Sequence, residues 1–196
     1  MSSVKRLAIF ASGSGTNAEK IMHYFAEQNN IEVACVITNK KNAGVLERAS
    51  KASVPSIRFP KADFDQPSAL IEYLKSKEVD FIILAGFLLK ISPQLISAYP
   101  DRIINIHPAL LPKYGGKGMY GHFVHEAVID NMEKESGITI HLVNENYDEG
   151  RIIFQAKCEV SPEMNPDQLA AKVQQLEHQH FPKVIEEYVN KFEKAS

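Results

Sequence analysis

The sequence predicts an α/β protein: a doubly wound, largely parallel (mixed) sheet with helices on both faces, three layers in all. Three observations carry that expectation. β-favourable runs alternate with segments of helical period through the first half of the chain, which implies parallel strands joined by right-handed crossovers. Val79–Ala85 is apolar at nearly every position, as expected of a parallel strand buried on both faces. Ser12-Gly13-Ser14-Gly15-Thr16-Asn17 then joins the first run to the first helical segment through a glycine-rich turn.

Taken in order, Val4–Ala11 is the first strand. Ile21, Met22, Phe25 and Ala26 recur at helical spacing within Ala18–Gln28. Ile31–Thr38 follows as strand, Ala43–Ala52 as helix, Val54–Phe59 as strand, Ser68–Lys77 as helix and Val79–Ala85 as the fourth strand. Gly86–Ile91 leaves that strand, and Pro93–Tyr99 is a short helix with proline at a tolerated early position. The fifth strand begins at Ile103-Ile104 and is stopped by Pro108. A long irregular loop carrying Gly115, Gly116 and Gly118 runs to Tyr120, and Gly121–Met132 is helical. Gly137–Val143 and Arg151–Val160 alternate as strands and are close enough in sequence to pair antiparallel. The last helix opens at Asn165/Pro166 and runs towards Asn190, with Pro182 expected to kink or divide it.

The chain has 196 residues, the size of a single larger domain, and its 44% hydrophobic and 23% charged content is enough to fill a core and stay soluble. A net charge of −2 gives no argument for a nucleic-acid or anionic-membrane partner. The apolar run Leu7–Ala11 is too brief for a signal peptide or a span. Cys35 and Cys158 lie in apolar runs without a CxxC spacing, so both are expected as buried thiols of a reduced, cytoplasmic protein.

Strand, glycine loop and helix form the geometry in which backbone N–H groups at a helix N-terminus hold a phosphate. Gly13-x-Gly15-x-x-Ala18 also approaches a dinucleotide fingerprint. That chemistry needs a carboxylate at the end of the second strand, where this chain has Ile37-Thr38-Asn39-Lys40. A phosphate monoester is the better expectation.

Within the fifth strand, Asn105 and His107 alternate with Ile106, so an amide and an imidazole point to one side at a strand end. An amide can donate to a developing oxyanion, and an imidazole can move protons near neutral pH. Asp148, in the loop before Gly150, is either a turn aspartate or a carboxylate that raises the imidazole pKa and fixes its tautomer. No G-x-S-x-G nucleophile is present, so the chemistry suited to these groups is direct attack of an amine on an acyl donor. His122-x-x-His125-Glu126 matches no zinc-protease order, and no metal is expected. His23, His122, His125, His141, His178 and His180 are expected as surface or supporting histidines.

These residues carry a resemblance. Ser12-Gly-Ser-Gly-Thr-Asn17, Leu84-Ala-Gly-Phe87, Ile104-Asn-Ile-His-Pro-Ala-Leu-Leu-Pro-Lys113, Gly137-Ile-Thr-Ile-His141, Asp148-Glu-Gly150 and Gln174-Gln-Leu-Glu-His178 span almost the whole chain. Together they resemble the phosphoribosylglycinamide (GAR) formyltransferases, a folate-dependent family of purine biosynthesis. The Asn-x-His-Pro block is shared by folate formyltransferases of this Rossmann-like fold, and the Ser-Gly-x-Gly-[Ser/Thr]-Asn loop narrows the likeness to GAR.

The resemblance implies transfer of the formyl group of 10-formyltetrahydrofolate to the GAR amine, with residues 1–100 as the phosphate-binding half and 101–196 as the folate and catalytic half. Asn105, His107 and Asp148 would be catalytic, Asp148 tuning His107. Gly15, Thr16 and Asn17 would hold the GAR phosphate, and Glu177 would contact its ribose. Leu88, Leu89, Lys90 and Ile91, with Asn105 and Tyr147, would line the folate pocket. The chain departs from the family at Leu89, where a basic residue is usual, and near Pro67, where an Arg is often found. Its Tyr114–Gly121 loop is also richer in glycine than in many members. A methionyl-tRNA formyltransferase usually adds a basic C-terminal domain and a formyl-folate hydrolase an N-terminal regulatory one. Neither is seen, and a non-catalytic phosphosugar-binding module would not need the Asn, His and Asp together. The expected partners are the two small molecules, without nucleic acid or membrane, in a monomer or homodimer.

Overall fold

The structure, a computed structural model, describes residues 4–192. Seven strands form one sheet in the order β3-β2-β1-β4-β5-β6-β7. They are β1 (Lys5–Phe10), β2 (Ile31–Thr38), β3 (Ser56–Arg58), β4 (Phe81–Leu84), β5 (Ile103–His107), β6 (Glu135–Leu142) and β7 (Ile152–Glu159). β1 pairs parallel with β2 and β4, and β2 with β3, while β6 and β7 pair antiparallel. The helices are α1 (Thr16–Phe25), α2 (Gly44–Lys51), α3 (Lys61–Asp65), α4 (Ser68–Ser76), α5 (Pro93–Ala98), α6 (His122–Asp130) and α7 (Pro166–Lys191). The expected mixed α/β sheet is therefore observed. No helix among the described residues is long and apolar enough to cross a membrane.

The described residues divide into two compact units. The first holds those up to Ile104 together with those from Ile185 on. Its core is built on β1 and β4, where Leu7 to Phe10 and Phe81 to Leu84 are all buried. Such strands have no polar face because helices cover both sides. α3 did not stand out in the sequence. At five residues it is too short to show a period, and its place is set by one ring. Phe64 is buried and packs edge-on against Phe10 at 5.9 Å and tilted against Phe87 at 4.8 Å. The end of α7 contributes Ile185 and Val189 to this core, and Tyr188 donates to the Asp101 carbonyl at 2.9 Å.

The second unit spans Asn105–Val184. β6 is buried from Ser136 to Leu142, whereas its partner β7 alternates between half-buried and exposed positions, as a strand covered on one face does. Gly137 lies so close to the Ala156 carbonyl of β7 that a Cβ there would collide with it. Pairing slips by one residue between Ile140 and His141: His141 pairs with Ile152 and Ile153 is passed over, so the extra residue lies on β7. Cys35 is buried as expected, but Cys158 on β7 is only half-buried.

The expected break at Pro182 does not occur, since α7 is one helix from Pro166 to Lys191. Proline removes one helical hydrogen bond and crowds the preceding turn, a cost of about 3 kcal/mol. Phe181, Val184 and Ile185 are buried on either side of it, and burying such side chains returns roughly 1.5–3 kcal/mol each.

Of the two places expected for His125, the surface is excluded: it is a buried residue of α6, 5% exposed, and its Nδ1 lacks a hydrogen-bond partner. Burial, followed by the nearby His122 and His107, pushes its pKa down to about 4. Below the ordinary value near 6.5 the unfolded chain gains a proton that the folded chain refuses. Stability from this site is therefore present above about pH 6.5 and lost as pH falls towards 4, on the order of 3 kcal/mol in all. Denaturant unfolding of wild type and His125→Leu across pH 4–7 measures it. The variant should lose less stability on acidification, and parallel curves would show that His125 contributes nothing to the acid sensitivity.

Candidate active site

The glycine turn after β1 is held by side chains at its edges. The Ser12 hydroxyl donates to Asn39 Oδ1 at 2.7 Å and accepts the Leu88 N–H at 3.0 Å. Asn39 therefore occupies the end of β2, where a dinucleotide site would need a carboxylate, and uses its side chain to anchor the turn. Arg48 of α2 donates to the Ser14 carbonyl at 2.9 Å and pairs with Glu19. That pairing offsets the negative charge in the first turn of α1. α1 starts at Thr16, two residues earlier than expected, so Thr16 and Asn17 form its first turn. The Glu19 N–H donates to the Gly15 carbonyl at 2.9 Å and closes the first turn of α1.

Gly15 is constrained by its own fold. Its φ is +79°, and a Cβ there would lie 2.5 Å from Val45 Cβ. Gly13, by contrast, has open space. Gly15→Ala should cost roughly 1–3 kcal/mol in urea unfolding from left-handed strain and crowding, while Gly13→Ala should stay within about 0.5 kcal/mol of wild type. Equal stabilities would remove the packing account of Gly15.

The remaining expected contacts vary in placement. Leu88 is 45% exposed and Lys90 exposed, Leu89 is half-buried, and Ile91 is buried in the core of its unit. Tyr147 is 41% exposed, beside Asp148 in sequence. Glu177 is half-buried on α7.

Asn105, His107 and Asp148 are brought together within the second unit. His107 Nε2 lies 2.7 Å from the Tyr114 carbonyl. A carbonyl only accepts, so Nε2 carries the hydrogen and Nδ1 is the site that gains or loses a proton. Nδ1 faces Asp148 Oδ2 at 3.6 Å, too long for a hydrogen bond but close for a charge pair. The tautomer is thus fixed by the Tyr114 carbonyl, not by Asp148 as expected from sequence.

Asp148 has φ +56°, and its Oδ2 accepts the Gly116 N–H at 3.0 Å. This contact accounts for part of the glycine content of the Tyr114–Gly121 loop. Gly116 has φ +92°, and a Cβ on Gly115 would press on Leu111 at 2.6 Å and on Asp148 at 3.3 Å.

The electrostatics correct a second expectation. Burial is the largest influence on His107 and lowers its pKa below 6.5; the Asp148 charge and the Tyr114 carbonyl raise it, and His141 lowers it. Asp148 acts in the expected direction, but desolvation wins, and His107 is mostly neutral at pH 7. Burial also opposes ionisation of Asp148, yet its contacts with His141, His107 and the Gly116 N–H together hold its carboxyl below the usual range.

His141, set aside in the sequence, belongs to this cluster. It is 2% exposed, its Nε2 lies 3.0 Å from Asn105 Nδ2, and the same Nε2 faces Asp148 Oδ1 at 3.6 Å. The signal that could have found it is alternation: Thr139 and His141 point to one side of β6. Thr139 pins the chain after β5, donating to the Ala109 carbonyl at 2.7 Å and accepting the Leu111 N–H at 3.0 Å. Gln155 of β7 donates to both the Leu111 carbonyl and Thr139 Oγ1. Chemically the cluster offers an amide N–H for a developing negative charge and a ring nitrogen beside a carboxylate that can take up a proton. No group of three or more potential metal ligands is found among the described residues.

Comparison with known proteins matches residues 5–185 to the formyl transferase family. The chain is 37% identical to the phosphoribosylglycinamide formyltransferase of Bacillus subtilis, covering 98% of this chain and 100% of that one. It is 44% identical to a chloroplastic phosphoribosylglycinamide formyltransferase of Arabidopsis thaliana, covering 92% of this chain but spanning only 64% of the plant protein's length. Among solved structures, the phosphoribosylglycinamide formyltransferase of Bacillus halodurans superposes with a TM-score of 0.86 at 39% identity, covering 96% of this chain and 97% of that one. By the extent of both the family match and the Bacillus subtilis alignment, the chain belongs to the formyl transferase family.

Proposed function

We propose that the protein transfers the formyl group of 10-formyltetrahydrofolate to the amine of GAR, giving formyl-GAR and tetrahydrofolate. The observation that carries this reading is the gathering of Asn105, His107 and Asp148 at the end of β5, in a chain of this family. The GAR amine attacks the formyl carbon, and the carbonyl π electrons move to oxygen. An Asn105 N–H stabilises that oxyanion. Collapse re-forms the carbonyl and breaks the bond to N10 of the folate. The amine loses one proton and N10 gains one. His107, neutral at working pH, takes up a proton at Nδ1 against Asp148 and returns it.

Gly15, Thr16 and Asn17 hold the GAR phosphate at the N-terminus of α1, and Glu177 meets the ribose. Leu88, Leu89, Lys90, Asn105 and Tyr147 contact the folate, as the family resemblance implies. Cys35 and Cys158 are both free thiols, which supports a reducing compartment such as the cytoplasm.

The deciding assay follows formyl-GAR formation from GAR and 10-formyltetrahydrofolate. Release of formate without formyl-GAR, or formylation of methionyl-tRNA instead, would overturn the assignment. Asn105→Ala should lower kcat on the order of 100- to 1,000-fold with GAR KM little changed; an effect confined to KM would make Asn105 a ground-state contact. The acid limb of kcat should report His107 below pH 6.5, since activity requires the neutral ring and rises as pH climbs through its pKa. Asp148→Asn removes a charge that favours the imidazolium. It should move that limb, and the His107 NMR titration, to still lower pH while lowering kcat. An unmoved titration would leave Asp148 as a turn residue.

A further inference from the structure

The mechanism above gives His141 no part, although it is among the most deeply buried polar side chains of its unit. Its Nδ1 lies 2.8 Å from the Leu142 carbonyl. That oxygen can only accept, so Nδ1 bears the hydrogen, and in the neutral ring Nε2 is left as a lone pair. Asn105 Nδ2 approaches this lone pair at 3.0 Å, within hydrogen-bond reach, whereas Asp148 Oδ1 stands 3.6 Å from the same nitrogen, beyond it. A primary amide can present either its NH2 or its oxygen to a neighbour, by a half-turn about its last torsion. Only the NH2 makes a hydrogen bond here. The oxygen would set two lone pairs against each other where water does not reach.

We infer that His141 is a positioning residue: its tautomer, imposed by the Leu142 carbonyl, fixes the amide of Asn105 so that one N–H is spent on the ring and the second is presented as a donor. The inference rests on the proposed role of Asn105 as the oxyanion donor. An amide free to turn would present its carbonyl oxygen for part of the time, and that oxygen repels the charge it should stabilise.

Long-range 1H–15N spectra of the histidine rings test this on the full chain without substrate. The expected result is the Nδ1–H form for His141, with one Asn105 side-chain N–H shifted downfield and protected from exchange. An Nε2–H form for His141 would overturn the inference, because the amide would then have to turn its oxygen inward. In His141→Leu that Asn105 N–H should lose its protection, and kcat should fall at least about twofold, the loss expected if two orientations are equally populated, with GAR KM unchanged. His141→Gln, which keeps an acceptor in place, should recover part of the loss. Equal kcat for wild type and His141→Leu would also overturn it. If the Leu variant fails to fold, the wild-type spectrum still decides. A wild type that shows the predicted tautomer but makes no formyl-GAR would instead sink the proposed function and leave the amide lock standing.

Discussion

The site depends on how one carboxylate is buried. Asp148 has one oxygen facing His107 and the other facing His141, each at 3.6 Å, and a backbone N–H from Gly116 bonded to the first. A buried carboxylate without such company would hold its proton. With two imidazoles and an N–H around it, its carboxyl is held below the usual range, and its charge joins the Tyr114 carbonyl in favouring a proton on His107. The rings need the acid as much as the acid needs the rings. The glycines and the left-handed residue at Asp148 serve to bring these three groups within reach of one another.

Much of this was legible in the sequence because it depends on local pattern. β2 was bounded to the residue, since a β-branched run ending in Asn-Lys is unambiguous. Asn105 and His107 were legible as a pair because a strand's period is two. α3 was not, because a five-residue helix has no period and is held by the burial of Phe64. Pro182 misled for a related reason: the local rule is real, but apolar burial on both sides of the proline outweighs it.

The histidine chemistry was less legible, for a different physical reason. Sequence shows which groups can ionise but not which backbone carbonyls they meet. The hydrogen on His107 is placed by the carbonyl of Tyr114, and that on His141 by the carbonyl of Leu142. Any residue type would supply such an oxygen, so no motif marks it. The sign of the His107 shift was hidden likewise. A nearby Asp argues upward and burial argues downward, and only the structure shows that burial is the larger.

The Leu142 carbonyl has one more neighbour. Gly150 packs against it so closely that a Cβ at that position would overlap the oxygen. Arg151 closes the same place, its carbonyl accepting the Leu142 N–H at 2.9 Å. The connection between β6 and β7 is therefore clamped at its base to the very oxygen that orients His141, while Asp148 rides on its far side. An ordinary surface hairpin tolerates added residues at little cost. This one is a gauge of fixed length: a residue inserted or removed between Asn144 and Glu149 would shift the carboxylate relative to rings that cannot follow it. Divergence among proteins built this way is thus steered towards changes of side chain in that loop and away from changes of its length.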